Sequence, residues 1–292
     1  MAMPCLISVI GSVEADLLVA FHAHYRALGV TDFRLAFHFT DHADPATVDE
    51  LLTTCSDLIG APRSVSRGPW HETLHSHIRD QLRTAATAEH GPGWHLLADI
   101  DEFQTHPLSL PEQVAAAEAD QRLVVGGVLL DRVTTDGRLT GWNPTDGLDA
   151  TYPLGGFLTH RLLHADPRKI VLAHSDAPLA LGSHRSPGHR YGNHPLVAVH
   201  HFKWRSPIIA DLRGRVRHHS SGAWNEETPA IRTEAARLLT HLDTHQGRID
   251  TTDPALDWRS VCLSELPPWW PDLATQITTQ FRPPTPAPAA HP

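Results

Sequence analysis

The sequence contains only three cysteines in 292 residues and has no long apolar run. Cys5, Cys55 and Cys262 are too few and too scattered for a disulfide framework or a cysteine-based zinc site. No segment approaches the ~20 apolar residues that a membrane-spanning helix needs. The first residues lack the basic start and apolar stretch of a secretory signal. We therefore expect a cytoplasmic protein with reduced thiols and no transmembrane segment.

Positive charge is also scarce. The 24 lysines and arginines are outnumbered by 33 aspartates and glutamates, the net charge is −9, and no long basic run occurs. This balance argues against nucleic acid as a partner. The apolar content of 41% is typical of a soluble globular chain that buries a large core. The 23 histidines are unusually many, and we expect only a few of them to be ligands.

Apolar patterns divide the chain into alternating strands and helices. Apolar runs and alternations predict strands over 4–10, 32–39, 94–98, 122–131, 169–173 and 196–201. Helical periodicity and capping signals predict helices over 13–28, 45–58, 70–89, 111–119, 207–218 and 228–243. This order predicts an α/β protein whose parallel strands are joined by helical crossovers.

Three segments between and after these elements are distinctive. The pair Gly126-Gly127 within a predicted strand predicts a bulge or a close backbone approach. Residues 132–168 form an unusually long predicted loop, and such loops are usually functional. The Pro/Ala-rich residues 283–292 are predicted to form a disordered tail.

One apolar run ends in three carboxylates within four residues, Asp99, Asp101 and Glu102. In an open α/β sheet, ligands bind at the carboxyl ends of the strands. On an extended chain, Asp99 and Asp101 would leave from one face and Glu102 from the other. Such oxygen ligands suit Mg²⁺ or Mn²⁺ with a phosphate-bearing substrate. We predict a metal and phosphate site here, with Glu102 either functional or paired with an arginine that stabilises the fold.

Three further segments accompany this one in order along the chain. They are residues 24–30 (HYRALGV), residues 167–171 (PRKIV) and residues 201–206 (HFKWRS), the last followed by the basic residues 213–215. Together with residues 94–103, they resemble glycosyltransferase family 92 and its bacterial family 2-like relatives.

The resemblance implies a GT-A fold, which is a Rossmann-like mixed sheet flanked by helices, here with further helices at the C-terminus. One such domain would cover residues 1–282. Its nucleotide-sugar half would span 1–110, its acceptor half 111–220 and its helical C-terminal part 221–282. The activity implied is the metal-dependent transfer of a sugar from a nucleotide-sugar donor to a hydroxyl of a small molecule or glycan, with inversion.

Mn²⁺ or Mg²⁺ is the implied cofactor, since a divalent ion stabilises the diphosphate leaving group. Asp101 is our choice for the direct ligand, and Asp99 would bind the ion through water or contact the ribose. His201, at the end of a predicted strand, is the candidate third ligand, and an imidazole suits Mn²⁺ better than Mg²⁺. His200 would face the opposite way.

Four other residues are candidates for binding the donor. Lys203 and Arg205 alternate after His201 and could clamp the diphosphate. Arg79 lies on a polar face of the helix predicted over 70–89, just before the metal-bearing strand. Glu14 follows the first strand where relatives carry an Asn-Glu pair, of which the asparagine is absent here.

The sequence identifies the residues that would bind and activate the acceptor less clearly than those that would bind the donor. An inverting transfer needs a base to deprotonate the acceptor hydroxyl. The long loop region offers the carboxylates Asp131, Asp136, Asp146, Asp149 and Asp166. Asp131, at the end of a predicted strand, is the favoured base. His184 lies where relatives often carry a histidine, and Trp142 could stack on a sugar face.

Three other functions compete with this one. His71, Glu72 and His75 match the His-Glu-x-x-His pattern of zinc hydrolases, which needs a helix and a third ligand. A sugar nucleotidyltransferase would want a glycine-rich basic loop after the first strand, but residues 11–16 are acidic. A non-catalytic sugar-binding protein on a GT-A-like fold is the third, and the presence of Asp99, Asp101 and His201 argues against it.

Overall fold

The computed structural model describes residues 3–192, 195–224 and 229–280, without the side chains of Glu72 and Gln280. The strands are β1 (Cys5–Ile10), β2 (Phe33–Phe39), β3 (Ser64–Arg67), β4 (Trp94–Leu97), β5 (Glu102–Thr105), β6 (Val124–Val133), β7 (Leu154–Gly156), β8 (Arg168–His174), β9 (Val197–His201) and β10 (Arg259–Ser260). The helices are α1 (Ala15–Ala27), α2 (Pro45–Leu58), α3 (Glu72–His90), α4 (Leu110–Ala119), α5 (Leu148–Thr151), α6 (Leu158–Arg161), α7 (Ile208–Ser220), α8 (Ala230–Thr244) and α9 (Trp270–Gln280).

All these strands belong to one mixed sheet, with the order β10-β7-β6-β8-β4-β1-β2-β3. Strands β1 to β4 run parallel to one another. Strand β8 is antiparallel to both β4 and β6, so β6 points the same way as β4. Strand β9 is parallel to β6 and carries β5 on its other side. Six strands, β1 to β4, β6 and β9, therefore end at one edge, which we call the carboxyl edge.

Helices cover both faces of the sheet. Alternate side chains of each strand point to opposite faces, so the sheet contributes to two hydrophobic cores. Leu6 and Ile10 of β1 pack with α1 and α2 in the larger core. Cys5, Ile7 and Val9 pack against α3 on the opposite face. Strands buried on both faces read as continuous apolar runs. The predicted α/β class, with a mixed Rossmann-like sheet flanked by helices, is confirmed.

Local sequence signals correctly predicted the positions of the first two helices. Asp44 caps α2 by accepting a hydrogen bond from the Thr47 N–H at 3.0 Å, with Pro45 at the first helical position. Gly29 has φ +94° after α1, a conformation in which a side chain would be strained. The predicted bulge is also found, because the pairing of β6 with β8 shifts between Val125 and Gly126.

Several elements differ from the sequence prediction. Strands β3 and β5 were not predicted, the first because it is a short, largely exposed edge strand and the second because it is polar. The predicted loop 132–168 contains α5, β7 and α6, and helix α9 follows the predicted helices. The predicted tail, 283–292, lies outside the described residues. In the part of the chain that the structure describes, no helix is both long and apolar enough to cross a membrane.

Three histidines away from the carboxyl edge have lowered pKa values; His95 is buried, and His24 and His106 are partly buried. The His24 Nε2 lies 3.0 Å from the Gln104 carbonyl oxygen, and His106 bonds the side chains of Gln113 and Gln104. His95 lies beside Arg83. Burial lowers the pKa of each imidazole to about 4, from an ordinary value of 6.5.

We expect acid to destabilise the protein through these histidines. Between pH 6.5 and about 4 the unfolded chain binds protons that the folded chain excludes, so stability falls as pH falls. The raised pKa values of Glu102 and His201, described below, act in the opposite sense. Each of the three histidines contributes a loss of up to about 1.4 kcal/mol per pH unit, and together they outnumber Glu102 and His201, so the net free energy of unfolding should fall. Urea unfolding at about pH 7.5 and about pH 5 measures it; an unchanged or higher free energy of unfolding at the lower pH would contradict it.

Candidate functional site

The acidic segment after β4 is a tight turn and not an extended chain. The Glu102 N–H donates to the Asp99 carbonyl at 2.9 Å, and the Asp99 N–H donates to the Glu102 carboxylate at 3.2 Å. The turn separates the two aspartates that an extended chain would place on one face. Asp99 points toward Lys169 and Asp101 points toward His201. The prediction that Asp99 and Asp101 share a face, with Glu102 opposite, is therefore wrong.

A buried lysine holds the turn in place. The Lys169 Nζ lies 2.9 Å from Asp99 Oδ2 and 2.8 Å from Glu102 Oε1, and it donates to the Gly182 carbonyl at 3.1 Å. Lys169 stands near the start of β8, which begins at the carboxyl edge because it runs antiparallel to β4. Glu102 thus pairs with a lysine and not with an arginine.

The charges of this group depend on one another. Burial raises the pKa of Glu102 to about 7, and the Asp99 charge adds to the effect. Burial would also raise the pKa of Asp99, but Lys169 outweighs it and holds that pKa well below its usual range. The side chain of Asp99 remains 42% exposed. A metal that bound Asp99 directly would compete with Lys169, whereas contact through water would not.

His201 lies in a row of polar residues that crosses three strands. The register pairs His201 of β9 with Glu102 of β5 on one side and with Asp131 of β6 on the other. The His201 Nδ1 lies 2.9 Å from Asp131 Oδ1, and the Nε2 lies 3.8 Å from Asp101 Oδ2. His200 faces the other way, as alternation predicts, and bonds Arg132.

The surroundings of His201 favour its charged form. Burial alone would lower the pKa of this imidazole, but the hydrogen bond to Asp131 and the Asp101 charge raise it above its ordinary value. The ring stands nearly perpendicular to the Trp204 indole, with centroids 5.8 Å apart. The same two carboxylates would stabilise a metal ion at Nε2 in place of the proton, because a metal binds the imidazole only after that nitrogen has lost its proton.

Asp131 is not placed to act as the base. Its side chain is fully buried and accepts hydrogen bonds from Thr159, His201 and Trp204. No acceptor hydroxyl can reach a carboxylate so enclosed, which corrects the sequence-based choice.

The other carboxylates proposed as the base are engaged locally. Asp149 pairs with Arg132 and Asp166 with Arg168. Asp136 pairs with Arg138, and Asp146 accepts from Asn143.

Glu14 and Arg205, both predicted to bind the donor, meet at the carboxyl edge. The Arg205 Nη2 lies 3.0 Å from Glu14 Oε2, and Nη1 donates to the Phe202 carbonyl. Arg205 is buried and Glu14 is half-buried. Lys203 is half-buried, with its Nζ 5.3 Å from the centre of the Trp204 ring. Of the two cations predicted to clamp the diphosphate, Arg205 is held in an ion pair with Glu14, so Lys203 is the better placed to bind an anion.

Arg79 lines a small cavity together with Asp99, but its guanidinium is not free to bind the donor as predicted. Its guanidinium donates to the Ala180 carbonyl at 3.0 Å and to the Ser183 hydroxyl at 2.9 Å, and it pairs with Asp80. These contacts attach the segment over 179–183 to α3 and use the donors that a diphosphate would need.

The two residues predicted on the acceptor side lie apart from each other. The His184 Nδ1 lies 2.7 Å from the Arg168 carbonyl oxygen, and burial beside Lys169 lowers the pKa of its imidazole to about 4. This places His184 next to Lys169, the partner of Asp99. Trp142 is half-buried against the larger core. It follows Thr140, whose carbonyl accepts from the Ser206 N–H beside Arg205.

The His-Glu-x-x-His pattern does not form a zinc site. His71 caps α3, with its Nδ1 accepting from the Leu74 N–H at 3.0 Å. The His75 Nε2 lies 3.2 Å from the Val9 carbonyl oxygen. The side chain of Glu72 lies outside the described residues. Among the residues that are described, no three or more His, Cys, Asp or Glu side chains are grouped to hold a metal ion.

Helix α7 crosses the carboxyl edge above the loops that follow β2 and β3. Arg215 lies over the Trp70 ring at 5.3 Å, and it also pairs with Asp211. His218 stacks between His42 and Trp224, with centroid distances of 5.3 and 4.7 Å. The helix thus places the cation of Arg215 against the loop that follows β3, although the chain as a whole is acidic.

Comparison with known proteins identifies no family. No protein-family model matches the chain, and no curated protein matches it in sequence. Among solved structures, S. aureus TarS (residues 1–349) is similar over 82% of this chain and 72% of that one, with 11% identity and a TM-score of 0.32. UDP-glucose pyrophosphorylase complexed with UDP-glucose is similar over 81% and 88%, with 12% identity and a TM-score of 0.25. Both scores are too low for the likeness to carry an argument, so the resemblance to glycosyltransferase family 92 stays a prediction.

Proposed function

We propose that this protein is a metal-dependent glycosyltransferase that transfers a sugar from a nucleotide-sugar donor to a hydroxyl acceptor. The observation that carries the proposal is the pairing of Asp101 with His201. These residues are a hundred positions apart in the chain, yet the His201 Nε2 lies 3.8 Å from Asp101 Oδ2 at the carboxyl edge. Ligands bind at this edge in open α/β sheets.

The two side chains fit a divalent cation. Ligand distances of about 2.0–2.2 Å place two ligands of one ion about 3–4 Å apart, close to the separation found here. One carboxylate and one imidazole leave the remaining positions to water and phosphate oxygens, as Mn²⁺ and Mg²⁺ require in such enzymes. The imidazole favours Mn²⁺.

The chemistry follows from these positions. When bound, the ion would stabilise the negative charge that develops on the leaving diphosphate. Asp101 and the His201 Nε2 would hold it, and Lys203, two residues after His201, would lie on the diphosphate side. Lys169 would keep the turn rigid so that Asp101 stays in position. Inversion, which the family resemblance implies, enters the proposal without an assigned base, because the five predicted carboxylates are engaged with neighbouring side chains.

A thermal-shift panel tests the donor class. UDP, GDP, CDP and TDP would each be added with and without Mn²⁺. A nucleotide at a hundredfold its dissociation constant should add about 2.7 kcal/mol of stability, and only when Mn²⁺ is present. Equal stabilisation in excess chelator would contradict metal-dependent donor binding. Slow hydrolysis of the matching nucleotide sugar would exclude a non-catalytic binding protein.

A further inference from the structure

We propose that Asp131 is a positioning residue that fixes His201 in the tautomer with its proton on Nδ1, so that the Nε2 lone pair faces the cation site. The proposal rests on the proposed function for the identity of that cation. It assigns a role to a buried carboxylate that the transfer chemistry does not otherwise use.

The contacts of Asp131 make it an acceptor. Its Oδ2 accepts from the Thr159 N–H at 2.6 Å, and its Oδ1 accepts from the Thr159 hydroxyl at 2.7 Å and the Trp204 indole N–H at 2.8 Å. Backbone and indole N–H groups can only donate. The His201 Nδ1, 2.9 Å from the same Oδ1, therefore makes its hydrogen bond by carrying a proton.

The tautomer determines which ring atom can bind a metal. A neutral imidazole has one N–H and one lone pair, so a proton on Nδ1 leaves the lone pair on Nε2. That atom is the one directed at Asp101, at 3.8 Å. A carboxylate behind a histidine also makes the imidazole a more basic ligand, and loss of such a partner typically lowers metal affinity 10- to 100-fold.

The fold holds this arrangement firmly. Strand register places His201 and Asp131 side by side on β9 and β6. Trp204 packs against the His201 ring while it donates to Asp131. Thr159, at the start of α6, donates to both oxygens of the carboxylate. Rotation of the imidazole would break the bond to Asp131 and leave a buried acceptor less satisfied, which is costly.

Histidine-selective ¹⁵N NMR on the metal-free protein tests the tautomer. At alkaline pH, where His201 is neutral, the wild-type spectrum should show the Nδ1–H form for this residue. Asp131→Ala should convert it to the Nε2–H form or to a mixture. Trp204→Phe removes one donor to Asp131 but keeps the carboxylate and an aromatic ring, so it should retain the Nδ1–H form.

Mn²⁺ affinity, measured from the EPR signal of free Mn²⁺, tests the consequence. It should fall about 10- to 100-fold in Asp131→Ala and less than about 10-fold in Trp204→Phe. If Asp131→Ala does not fold, the wild-type tautomer still decides: an Nε2–H form in the wild type would overturn the positioning role even if Mn²⁺ binds. An Nδ1–H form in a protein that binds no Mn²⁺ would support the positioning of His201 and overturn the proposed function.

Discussion

Asp101→Asn is expected to lower the rate of sugar transfer at least ~10²-fold, because a divalent ion that stabilises the leaving group contributes several kcal/mol to the transition state. The substitution preserves the shape of the side chain and removes the charge that would hold the ion. Initial rates with the donor identified by the thermal-shift panel, at fixed Mn²⁺, measure the effect.

The matched control is Asp57→Asn, since Asp57 is exposed in the last turn of α2, and that helix runs from the carboxyl end of β2 back toward the start of the parallel strand β3. It should leave the rate unchanged. Asp99→Asn is informative in a second way, because Asp99 is already paired with Lys169 and would reach the ion through water. Its effect should be smaller than that of Asp101→Asn. Near-normal turnover in Asp101→Asn, or full activity in excess chelator, would refute the metal-dependent function.

Lys169→Met is expected to destabilise the fold by about 3–5 kcal/mol, the usual result of removing one partner from a buried ion pair. Methionine fills a similar volume but leaves Glu102, which is 3% exposed, without its cation and next to Asp99. Urea unfolding of the two proteins at neutral pH measures the loss.

The loss should grow with pH. Glu102 already has a pKa raised to about 7 by burial and by Asp99, and removing Lys169 raises that pKa further. A group with a raised folded-state pKa supports folding while protonated, and this contribution disappears as pH rises through that pKa. The destabilisation should therefore be larger at about pH 9 than at about pH 6. Glu102→Gln should restore part of the stability in the Lys169→Met background. An equal loss at both pH values, without such a recovery, would show that Lys169 acts through packing.

Elements with a strong local pattern could be predicted from the sequence. Strand β1 and helix α2 show why: the first is apolar along its whole length, and the second carries its cap and N-terminal proline within four residues. Strand β5 shows the limit. It is completely buried but reads Glu-Phe-Gln-Thr, and its polar groups find partners far along the chain, such as the Leu263 carbonyl for the Thr105 hydroxyl.

The sequence predicted which residues belong to the candidate site better than it predicted how they are arranged. The strand-end position of Asp101 and His201 followed from the apolar runs before them. The turn over 99–102 did not, because it depends on Lys169, seventy residues away in the chain. The sequence did contain a signal that Lys169 has a structural role. It is a charged residue at the start of the apolar run that forms β8, and it is one of only two lysines in the chain.

Arg79 and Asp131 were assigned roles that their neighbours prevent. Each has the right chemistry and lies on an element next to the site. Whether a charged side chain faces a cleft or the interior depends on partners such as Ser183 and Thr159, which come from distant segments. Such partners cannot be identified from a single sequence, because they depend on which strands pair and in which register.

The pairing of β9 with both β5 and β6 has a consequence for the order of folding. Strands β1 to β3 and the helices between them join close neighbours in the chain, and such local contacts form early. The pairing of Asp101 with His201 needs strand β9, and the strands that pair with β9 lie about seventy to a hundred residues earlier in the chain. A chain emerging from the ribosome therefore completes most of its parallel strands before His201 is even synthesised. In refolding experiments, Mn²⁺ binding should lag behind the recovery of secondary structure, and the ion would report the last step of assembly.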